Sequence, residues 1–367
     1  MSGDTADISK LFIYPVKSLR PLEVTAAEIT NEGLRFDRQY ILVKPPTSDT
    51  HGLAEHITIK SYFELGLFHT AVDKSWSKLT ITHTQAEDKR SIVIPLTPSP
   101  MSLMNAQTFQ VSIFGTKATG IDMGELVSQY FSFHLKFPVR LLYIGGSGQR
   151  EIPGSVYMPK HYSALSVSVN DKFQPQRLRF ADAAPLLLTT TASEEDARRR
   201  LPLAARGEDV IIRFRPNVHV DTGEEQEPYG EDGWSMLAIR SQTDREQEVS
   251  VRCLFRTVRC LSLNADLIKG GMIATNRQLY GLLAKDRRVN EKFPSKAALL
   301  NHFVPLPTVS NLLVDKPVFG QYACAGPSGA VLRVGDEVEV TERISRNNTP
   351  SQSPITPATS NGPITPT

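Results

Sequence analysis

Three cysteines are the first residues of this 367-residue chain whose type points to a chemistry, and they occupy positions 253, 260 and 324. An odd and low count argues against a disulfide framework and against a four-cysteine zinc or iron–sulfur site. A soft thiolate is a suitable ligand for a thiophilic metal. Any functional cysteine here is therefore predicted to act as a single thiolate in a reducing compartment.

Two of the cysteines lie close together in the sequence, and either could supply that thiolate. Cys260 directly follows Arg259 and lies near Arg256, and nearby cations favour the thiolate form. Cys253 follows Arg252 in the same way. Because an odd number of positions separates them, they would face opposite sides of one regular strand, so only one should reach a given site. The alternative for every cysteine is a small hydrophobic residue buried in a strand, and this is what we predict for Cys253 and Cys324.

A second candidate feature is a pair of polar residues inside an apolar stretch. Arg215 and Asn217 flank Pro216 within residues 210–220, which we predict to be one long strand interrupted at the proline. Alternation along a strand places both side chains on one face, which favours a lined cavity over a packed core. A solvent-exposed face is the alternative.

Several widespread catalytic motifs are absent from the sequence. It contains no P-loop, no dinucleotide-binding glycine fingerprint, no HExxH and no GxSxG elbow. Residues 145–148 (GGSG) lack the Lys-Ser/Thr pair of a phosphate loop and are predicted to form a turn. The eight histidines lack metal-ligand spacing. Hydrolase, kinase and zinc-enzyme functions therefore lack support.

Composition and charge are those of a globular protein. Hydrophobic residues make up 40% and charged residues 22%, and the formal net charge is +2, so nucleic acid is not expected as a partner. No N-terminal segment has the pattern of a signal peptide, and no run approaches the roughly 18 apolar residues of a membrane span. We therefore expect a soluble, monomeric, cytoplasmic protein, while a mitochondrial address read by a receptor stays open.

The elements that must position these residues are mostly short strands. In the first half, apolar and alternating stretches predict strands at residues 10–16, 22–29, 39–43, 79–83, 91–94, 108–114 and 139–144. Asp122 and Glu125 have capping-box spacing and predict a helix that ends before Pro138. The face of this helix that is expected to be buried carries Leu126, Val127, Tyr130 and Phe131.

The second half follows a predicted linker at residues 149–176 and is again rich in strands. Strands are predicted at residues 185–188, 236–239 and 249–258. Thr191 and Glu194 are predicted to cap a short helix, and a second helical region is predicted at 276–285. Residues 330–340 are predicted to form a final strand pair, whose inward residues are Val331, Val334, Val338 and Val340. The Ser-, Thr- and Pro-rich residues 343–367 are predicted to be a disordered tail.

Several short stretches, in a fixed order along the chain, resemble one family. They are YPVKS (14–18), GLRFDR (33–38), GIDMGE (120–125), ADAAP (181–185), RFRPNV (213–218), EDGW (231–234), RTVRC (256–260), FGQY (319–322) and VGD (334–336). The ordered set resembles the MOSC superfamily with its N-terminal β-barrel domain, and its pattern is most similar to the mitochondrial amidoxime-reducing components.

The resemblance implies an α+β, β-rich fold with few short helices. The MOSC N-terminal β-barrel domain would occupy residues 1–148 and pack on a MOSC β-barrel domain at residues 177–342. The linker at 149–176 would join them, and the disordered tail at 343–367 would follow.

The same resemblance implies a molybdenum–molybdopterin cofactor between the two domains, with one protein cysteine as catalytic metal ligand. Cys260 is favoured over Cys253, because the residues that follow the family's Arg-Cys pair are recognisable, in eroded form, as Asn264, Asp266 and Gly270. The positions that match family cofactor contacts are Lys17, Ser18, Arg38, Asp182, Ala183, Ala184, Arg215, Asn217, Val258, Arg259 and Tyr322. The two alanines replace hydroxyl residues, so only backbone contacts are expected there. Lys60 stands where relatives often carry arginine.

For function, the resemblance implies reduction of N-hydroxylated small molecules. Electrons would come from an external haem protein and its flavin reductase, because the chain has no flavin, haem or iron–sulfur motif of its own. One alternative is a molybdenum cofactor sulfurase-like or carrier protein without reductase activity, although the chain lacks an aminotransferase-like domain. Another is a degenerate, non-enzymatic MOSC module. The superfamily is also associated with pyridoxal phosphate, but no Schiff-base lysine motif is present.

Overall fold

Strands dominate the chain in a computed structural model, which describes residues 6–47, 52–86, 90–151, 177–206, 210–223, 226–244, 246–288 and 316–343. Up to residue 143 the strands are β1 (Ala6–Ile13), β2 (Leu22–Val24), β3 (Ala26–Thr30), β4 (Gly33–Leu34), β5 (Tyr40–Lys44), β6 (Leu53–His56), β7 (Phe68–Val72), β8 (Lys78–His83), β9 (Ser91–Pro95), β10 (Thr108–Ile113), β11 (Thr116–Asp122) and β12 (Arg140–Tyr143). The later strands are β13 (Arg150–Glu151), β14 (Arg177–Leu178), β15 (Leu186–Thr190), β16 (Val218–Asp221), β17 (Trp234–Arg240), β18 (Glu248–Val258), β19 (Val318–Gly326), β20 (Val331–Arg333) and β21 (Glu337–Arg343).

The helices of the described residues are few and short. They are α1 (Pro100–Leu103), α2 (Glu125–Leu135), α3 (Thr191–Arg199), α4 (Ile211–Phe214) and α5 (Leu279–Leu283). None of these helices is long and apolar enough to cross a membrane. The predicted β-rich fold with few short helices is therefore confirmed.

The first closed structure is a five-stranded barrel. Its strands follow the order β10-β11-β12-β5-β6, and a parallel pairing between β10 and β6 closes the ring. Burial alternates along β10, so that Phe109, Val111 and Ile113 enter the barrel core. Strand β5 is buried on both faces instead, which its uninterrupted apolar sequence Tyr-Ile-Leu-Val permits.

The second closed structure is larger and takes strands from both ends of the described chain. Its order is β16-β15-β19-β18-β17-β21-β1-β2, and an additional pairing between β16 and β1 closes it. In that pairing Leu11 lies opposite Val218, and both are buried in a core that also holds Trp234. Strand β1 therefore belongs to the sheet of the C-terminal half. The chain then leaves this sheet and enters the first barrel, where Val16 bridges to Tyr40 of β5.

A three-stranded sheet, β7-β8-β9, packs its apolar face against helix α2. The helix was predicted, but its start and its buried face differ in part from the prediction. Gly124 is the N-cap without a side-chain cap, while Asp122 accepts a hydrogen bond from the Gly124 amide at 3.1 Å. Val127 and Phe131 are buried as predicted, whereas Leu126 is 78% exposed.

Residues 210–220 do not form the single strand predicted from their apolar sequence. Helix α4 occupies the first part, Arg215 ends it in the left-handed conformation (φ 59°), and only β16 is a strand. A short apolar run fits a strand and a helix equally well, because it is too short to show a periodicity. Here it forms one helical turn that packs into a core with Tyr14 and Phe319. The prediction that Arg215 and Asn217 share one face of a strand is therefore wrong.

Other element boundaries also need correction. The N-cap of α3 is Thr190, whose Oγ1 accepts from the Ser193 amide at 3.3 Å. The predicted strand at 22–29 is two strands, and the helical region at 276–285 is a 3-10 turn (Thr275–Arg277) followed by α5. Residues 330–340 were predicted to form a pair of strands, but in the described chain β20 pairs with β3, and β21 pairs with β1 and β17. Val334, which was predicted to face inward, lies between β20 and β21 and is 43% exposed. Residues 152–176 and 344–367 lie outside the described residues.

Candidate cofactor site

The turn after β1 places Lys17 where the two barrels meet. The Lys17 amide donates to the Tyr40 carbonyl at 2.8 Å, which fixes the turn to strand β5. The side chain is buried, its Nζ donates to the Phe180 carbonyl at 2.9 Å, and it forms an ion pair with Asp182. Lys17 and Asp182, each predicted separately as a cofactor contact, are thus brought together across 165 positions of sequence.

Asp182 is the acidic partner in this region and stays ionised. Burial raises its pKa, but the Lys17 ammonium outweighs this effect and lowers it to about 2. The loop that carries Asp182 is anchored by Arg150, which is 2% exposed and donates to the carbonyls of Ala181 and Asp182. Arg150 lies in the predicted linker at residues 149–176, and its polar surroundings in the sequence give no sign of this anchoring role.

Arg38 connects residues of both barrels through its guanidinium. The residue is in the left-handed conformation (φ 48°), and its amide donates to the Tyr14 carbonyl at 2.7 Å. Its Nη1 donates to Asp37 Oδ2 at 2.6 Å and to Asn217 Oδ1 at 2.9 Å. Its Nη2 donates to the Arg215 carbonyl at 3.2 Å. The sequence analysis did not single out Asp37 or Tyr14, although both lie in the motifs it quoted.

The Asn217 side chain makes three hydrogen bonds within the protein. Besides accepting from Arg38, its Oδ1 accepts from the Leu187 amide at 3.2 Å, and its Nδ2 donates to the Phe12 carbonyl at 3.2 Å. Asn217 is 1% exposed. In this arrangement it positions Arg38 and the neighbouring strands, and a direct contact with a cofactor stays a prediction.

Two further guanidinium groups carry unused donors. Arg215 Nη1 donates to the Leu19 carbonyl at 3.0 Å, and Arg259 Nη2 donates to the Phe214 carbonyl at 2.6 Å. Arg215 Nη2 and Arg259 Nε are buried and have no hydrogen-bond partner among the described residues. Burial lowers the pKa of both side chains, that of Arg215 to about 10, so Arg215 remains charged at neutral pH.

Cys260 differs from the other two cysteines in its exposure. It is half-buried at the end of β18, where it begins the 3-10 turn Leu261–Asn264, and its Sγ lies 3.1 Å from Ser262 Oγ. Cys253 and Cys324 are buried within β18 and β19, as predicted. Burial raises the pKa of both buried thiols, that of Cys324 to about 12.

Electrostatic interactions show that the predicted charged residues share one region. Burial raises the pKa of Tyr322, and Asp182, Arg259, Arg38 and Cys260 all contribute to that pKa. The Tyr322 ring contacts Phe255 edge-on, with 5.3 Å between the ring centroids. Side chains far apart in sequence, from Lys17 to Tyr322, therefore form one charged cluster.

Four predicted positions have no charged side chain to contribute. Ser18 is buried in the left-handed region (φ 75°), with its Oγ 3.5 Å from the Ile57 carbonyl oxygen. Ala183 and Ala184 are buried beside Asp182, and Val258 pairs with Val318 at the end of β18. These four residues could therefore contact a ligand only through their backbone groups or, for Ser18, through its hydroxyl.

A cleft of about 350 Å³ adjoins the cluster, and its lining includes Glu55, His56, Thr58, Lys60, Ser61 and Ser112. Burial lowers the pKa of His56 to about 4, and Lys17 and Asp182 are among the charges that act on this imidazole. His56 is therefore neutral at pH 7. Lys60, the position matched only loosely by resemblance, is exposed in this cleft and does not join the buried cations.

The composition of the cluster fits an anionic, oxygen-rich cofactor. Four cations (Lys17, Arg38, Arg215 and Arg259), with Arg150 beside them, outnumber the two carboxylates Asp37 and Asp182, so the cluster has an excess of positive charge. The unpartnered Arg215 Nη2 and Arg259 Nε are both donors, so a ligand that satisfies them must offer acceptors. A phosphorylated pterin has such acceptors, and Cys260 supplies a thiol nearby. No three His, Cys, Asp or Glu side chains of the described chain group so as to hold a metal ion.

Comparison with known proteins identifies the architecture. Residues 5–138 match the MOSC N-terminal beta barrel domain, and residues 175–339 match the MOSC domain. The two barrels are thus the fold of a MOSC protein with its N-terminal barrel domain. The chain belongs to the MOSC-domain family whose members carry this N-terminal barrel, as the sequence motifs predicted.

The curated proteins that resemble this chain share only about a quarter of its residues. Mitochondrial amidoxime-reducing component 1 of Mus musculus is 24% identical over 337 residues, which cover 90% of this chain and 81% of that protein. Mitochondrial amidoxime reducing component 2 of Rattus norvegicus is 25% identical, covering 90% of this chain and 82% of that protein. Molybdenum cofactor sulfurase of Oryza sativa subsp. japonica is 25% identical over 299 residues, but these cover only 31% of the sulfurase.

Proposed function

We propose that this protein is a molybdenum-cofactor-dependent oxidoreductase that reduces N-hydroxylated small molecules. The observation that carries the proposal is the convergence of Lys17, Arg38, Arg215 and Arg259 on one region beside Cys260. Phe180 accepts from Lys17 and donates to the Arg38 carbonyl, Arg38 donates to the Arg215 carbonyl, and Arg259 donates to the adjacent Phe214 carbonyl. The reaction class is taken from the relatives named amidoxime-reducing components, which align with nine-tenths of the chain.

In this proposal the bound cofactor supplies the redox chemistry, and the chain binds and orients it. Cys260 is the catalytic metal ligand, because the other two thiols are buried in strands with raised pKa values that disfavour the thiolate. Arg215 Nη2 and Arg259 Nε donate to oxygen acceptors of the cofactor. Lys17 is held by Asp182, and Arg38 is held by Asp37 and Asn217. The remaining predicted contacts are Ser18, Ala183, Ala184, Val258 and Tyr322.

The proposal includes an external source of electrons. We infer that a haem protein with its flavin reductase supplies them, as the resemblance to the amidoxime-reducing components implies. The substrate is a small N-hydroxylated molecule, which gains two electrons and two protons and leaves as the amine or amidine and water.

A cofactor-handling protein is the second candidate, and the eroded motif after Cys260 favours it. Molybdenum cofactor sulfurase of Danio rerio is 28% identical over 246 residues, and mitochondrial amidoxime reducing component 2 of Macaca fascicularis is 29% identical over 256 residues. The aligned residues cover 26% of the sulfurase and 66% of the amidoxime reducing component. A sulfurase-like or carrier protein would bind the same cofactor and fail to turn over an amidoxime. A degenerate module would bind no cofactor at all.

Molybdenum content is the first measurement that separates these functions. The wild type, Cys260→Ser and Cys253→Ser are expressed in a cofactor-producing host, and metal per protein is determined. We expect near-stoichiometric metal in the wild type and Cys253→Ser and a loss in Cys260→Ser. Loss of metal only in Cys253→Ser would show that Cys253, and not Cys260, is the ligand. A wild type without metal would contradict the proposal.

Turnover is the second measurement. Metal-loaded wild type is incubated with a simple amidoxime and a chemical reductant, and the amidine is quantified. Amidine formation that is lost in Cys260→Ser supports the reductase. Bound metal without amidine formation would favour the carrier or sulfurase-like protein.

A further inference from the structure

Tyr14 is a buried residue of the candidate site to which nothing above assigns a role. Its side chain is 0% exposed, and its hydroxyl has no hydrogen-bond partner among the described residues. A buried hydroxyl without a partner costs about 1 to 3 kcal/mol. A phenylalanine of the same shape would avoid that cost, so the hydroxyl is unexplained by the packing of the protein alone.

The surroundings of the Tyr14 ring are cationic. The guanidinium carbon of Arg38 lies 4.5 Å from the ring centroid and that of Arg215 lies 4.4 Å from it. Such contacts let the ring stabilise two positive charges that would otherwise repel each other. Arg259 also acts on the hydroxyl electrostatically.

Both backbone polar groups of Tyr14 are hydrogen-bonded. Its amide donates to Asp37 Oδ1 at 2.8 Å, and its carbonyl accepts from the Arg38 amide at 2.7 Å. Asp37 in turn accepts from the Arg38 guanidinium. The ring and its hydroxyl are therefore held in one place by the same residues that hold Arg38.

The unpartnered atoms around Tyr14 share one chemical character. Arg215 Nη2 and Arg259 Nε are donors without acceptors, and the Tyr14 hydroxyl is a third donor in the same state. Burial raises the pKa of Tyr14, so that the hydroxyl keeps its proton. A ligand with acceptor oxygens can satisfy all three groups, whereas a donor could pair only with the hydroxyl oxygen, because a phenol also accepts hydrogen bonds.

We propose that Tyr14 is a cofactor-binding residue: its hydroxyl donates to an acceptor oxygen of the bound pterin cofactor, and its ring contacts the guanidinium groups of both Arg38 and Arg215. This inference rests on the proposed function, because it requires the cofactor. It goes beyond it by assigning a hydrogen-bond donor that the family motifs did not mark as a contact.

The test compares Tyr14→Phe with a matched control, Tyr40→Phe. Tyr40 is equally buried, but its hydroxyl donates to the Pro95 carbonyl at 2.6 Å. Two quantities are measured for the wild type and both variants: the rate of molybdenum loss from the loaded protein during dialysis, and the melting temperature of the cofactor-free protein. Neither measurement depends on turnover of a substrate, and the melting temperature does not depend on the cofactor either.

We expect Tyr14→Phe to lose molybdenum about tenfold faster than the wild type, the effect of one hydrogen bond to the ligand. The melting temperature of its cofactor-free form should equal or exceed that of the wild type, because an unpartnered hydroxyl has been removed. Tyr40→Phe should show the opposite pattern, with a lowered melting temperature and an unchanged rate of molybdenum loss.

Three other outcomes would overturn the inference. If Tyr14→Phe retains molybdenum like the wild type, the hydroxyl does not bind the cofactor, and the proposed function is unaffected. If the cofactor-free Tyr14→Phe melts lower, as Tyr40→Phe should, the hydroxyl has a structural partner. If the wild type binds no molybdenum, the proposed function fails and this inference fails with it.

Discussion

Arg38 donates a hydrogen bond of 2.9 Å to the side-chain oxygen of Asn217, a residue 179 positions further along the chain. The contact joins the segment that enters the first barrel to a strand of the second barrel. Asn217 also connects the Leu187 amide with the Phe12 carbonyl, so one buried amide holds three separate segments together. The position of the Arg38 guanidinium in the candidate site thus depends on the closure of the larger barrel.

Replacing Asn217 by alanine should destabilise the protein. The Leu187 amide and the Phe12 carbonyl would lose their side-chain partner, and we expect the free energy of unfolding to fall by about 3 kcal/mol. Urea denaturation measures this change. Asn105→Ala, at an exposed loop position, is the control and should change it by less than about 0.5 kcal/mol. Equal effects of the two substitutions would show that the buried network contributes little.

Gly320, in the strand that carries Tyr322, should not tolerate a side chain. A Cβ there would lie 2.5 Å from the Leu188 carbonyl oxygen, and the residue has φ +76°. Gly115 has φ +80° with no atom within 4 Å of its Cβ position, so it has the same backbone conformation without the close approach. We expect Gly320→Ala to cost about 2 kcal/mol or more beyond Gly115→Ala, measured by thermal unfolding. If both substitutions cost the same, the steric contact with β15 is not the reason for glycine.

The buried Glu231 should make stability fall as pH rises. Burial, together with Asp232, raises its pKa to about 7, so between pH 4.5 and 7 the folded state holds a proton that the unfolded state has released. The unfolding free energy should therefore decrease across this window by up to about 3 kcal/mol, and the full loss should be present above pH 7.

Glu231→Gln tests that pH dependence because it keeps an acceptor for Thr190 and Ser193, which both contact one Glu231 oxygen. The variant should lack this part of the pH dependence and should exceed the wild type in stability at pH 8. Urea unfolding at pH 5 and pH 8 provides the comparison. If the unfolding free energies of the wild type and Glu231→Gln change equally between pH 5 and pH 8, Glu231 does not titrate in this range.

The native protein should have one reactive thiol. Cys260 is half-buried, whereas Cys253 and Cys324 are buried and have raised pKa values. Because the thiolate is the reactive form, an alkylating reagent at pH 7.5 should modify Cys260 at least about a hundredfold faster than the others. Mass spectrometry of the native and urea-unfolded protein identifies the modified residues. Native modification of Cys253 at a similar rate would place that cysteine at an accessible site.

The sequence contained enough information for the strand-rich class and for most strand positions. Alternating burial along β10 and uninterrupted burial along β5 both follow from side-chain type, because a strand presents successive residues to opposite faces. The same reasoning correctly predicted that Cys253 and Cys324 are buried. The motif order was also sufficient for family membership, since it survives where overall identity is low.

Local sequence was not sufficient where a short apolar run had two compatible structures. Residues 210–214 are rich in β-branched residues and were interpreted as a strand, yet they form helix α4 because a helical turn fills the core beside Tyr14. Arg215 consequently takes the left-handed conformation and turns its guanidinium to the Tyr14 ring. The role of Arg150 was hidden for a similar reason, because the surrounding polar sequence resembles a linker.

The charged site itself was decided by the tertiary structure. Residue types identified Lys17, Arg38, Arg215 and Cys260 as candidates by resemblance, but the hydrogen-bond partners of their side chains lie up to 196 positions away. Those partners meet because β1 closes the barrel of the C-terminal half before the chain enters the first barrel. Long-range pairing of this kind depends on which strands share a core, and residue type and local spacing do not encode that choice.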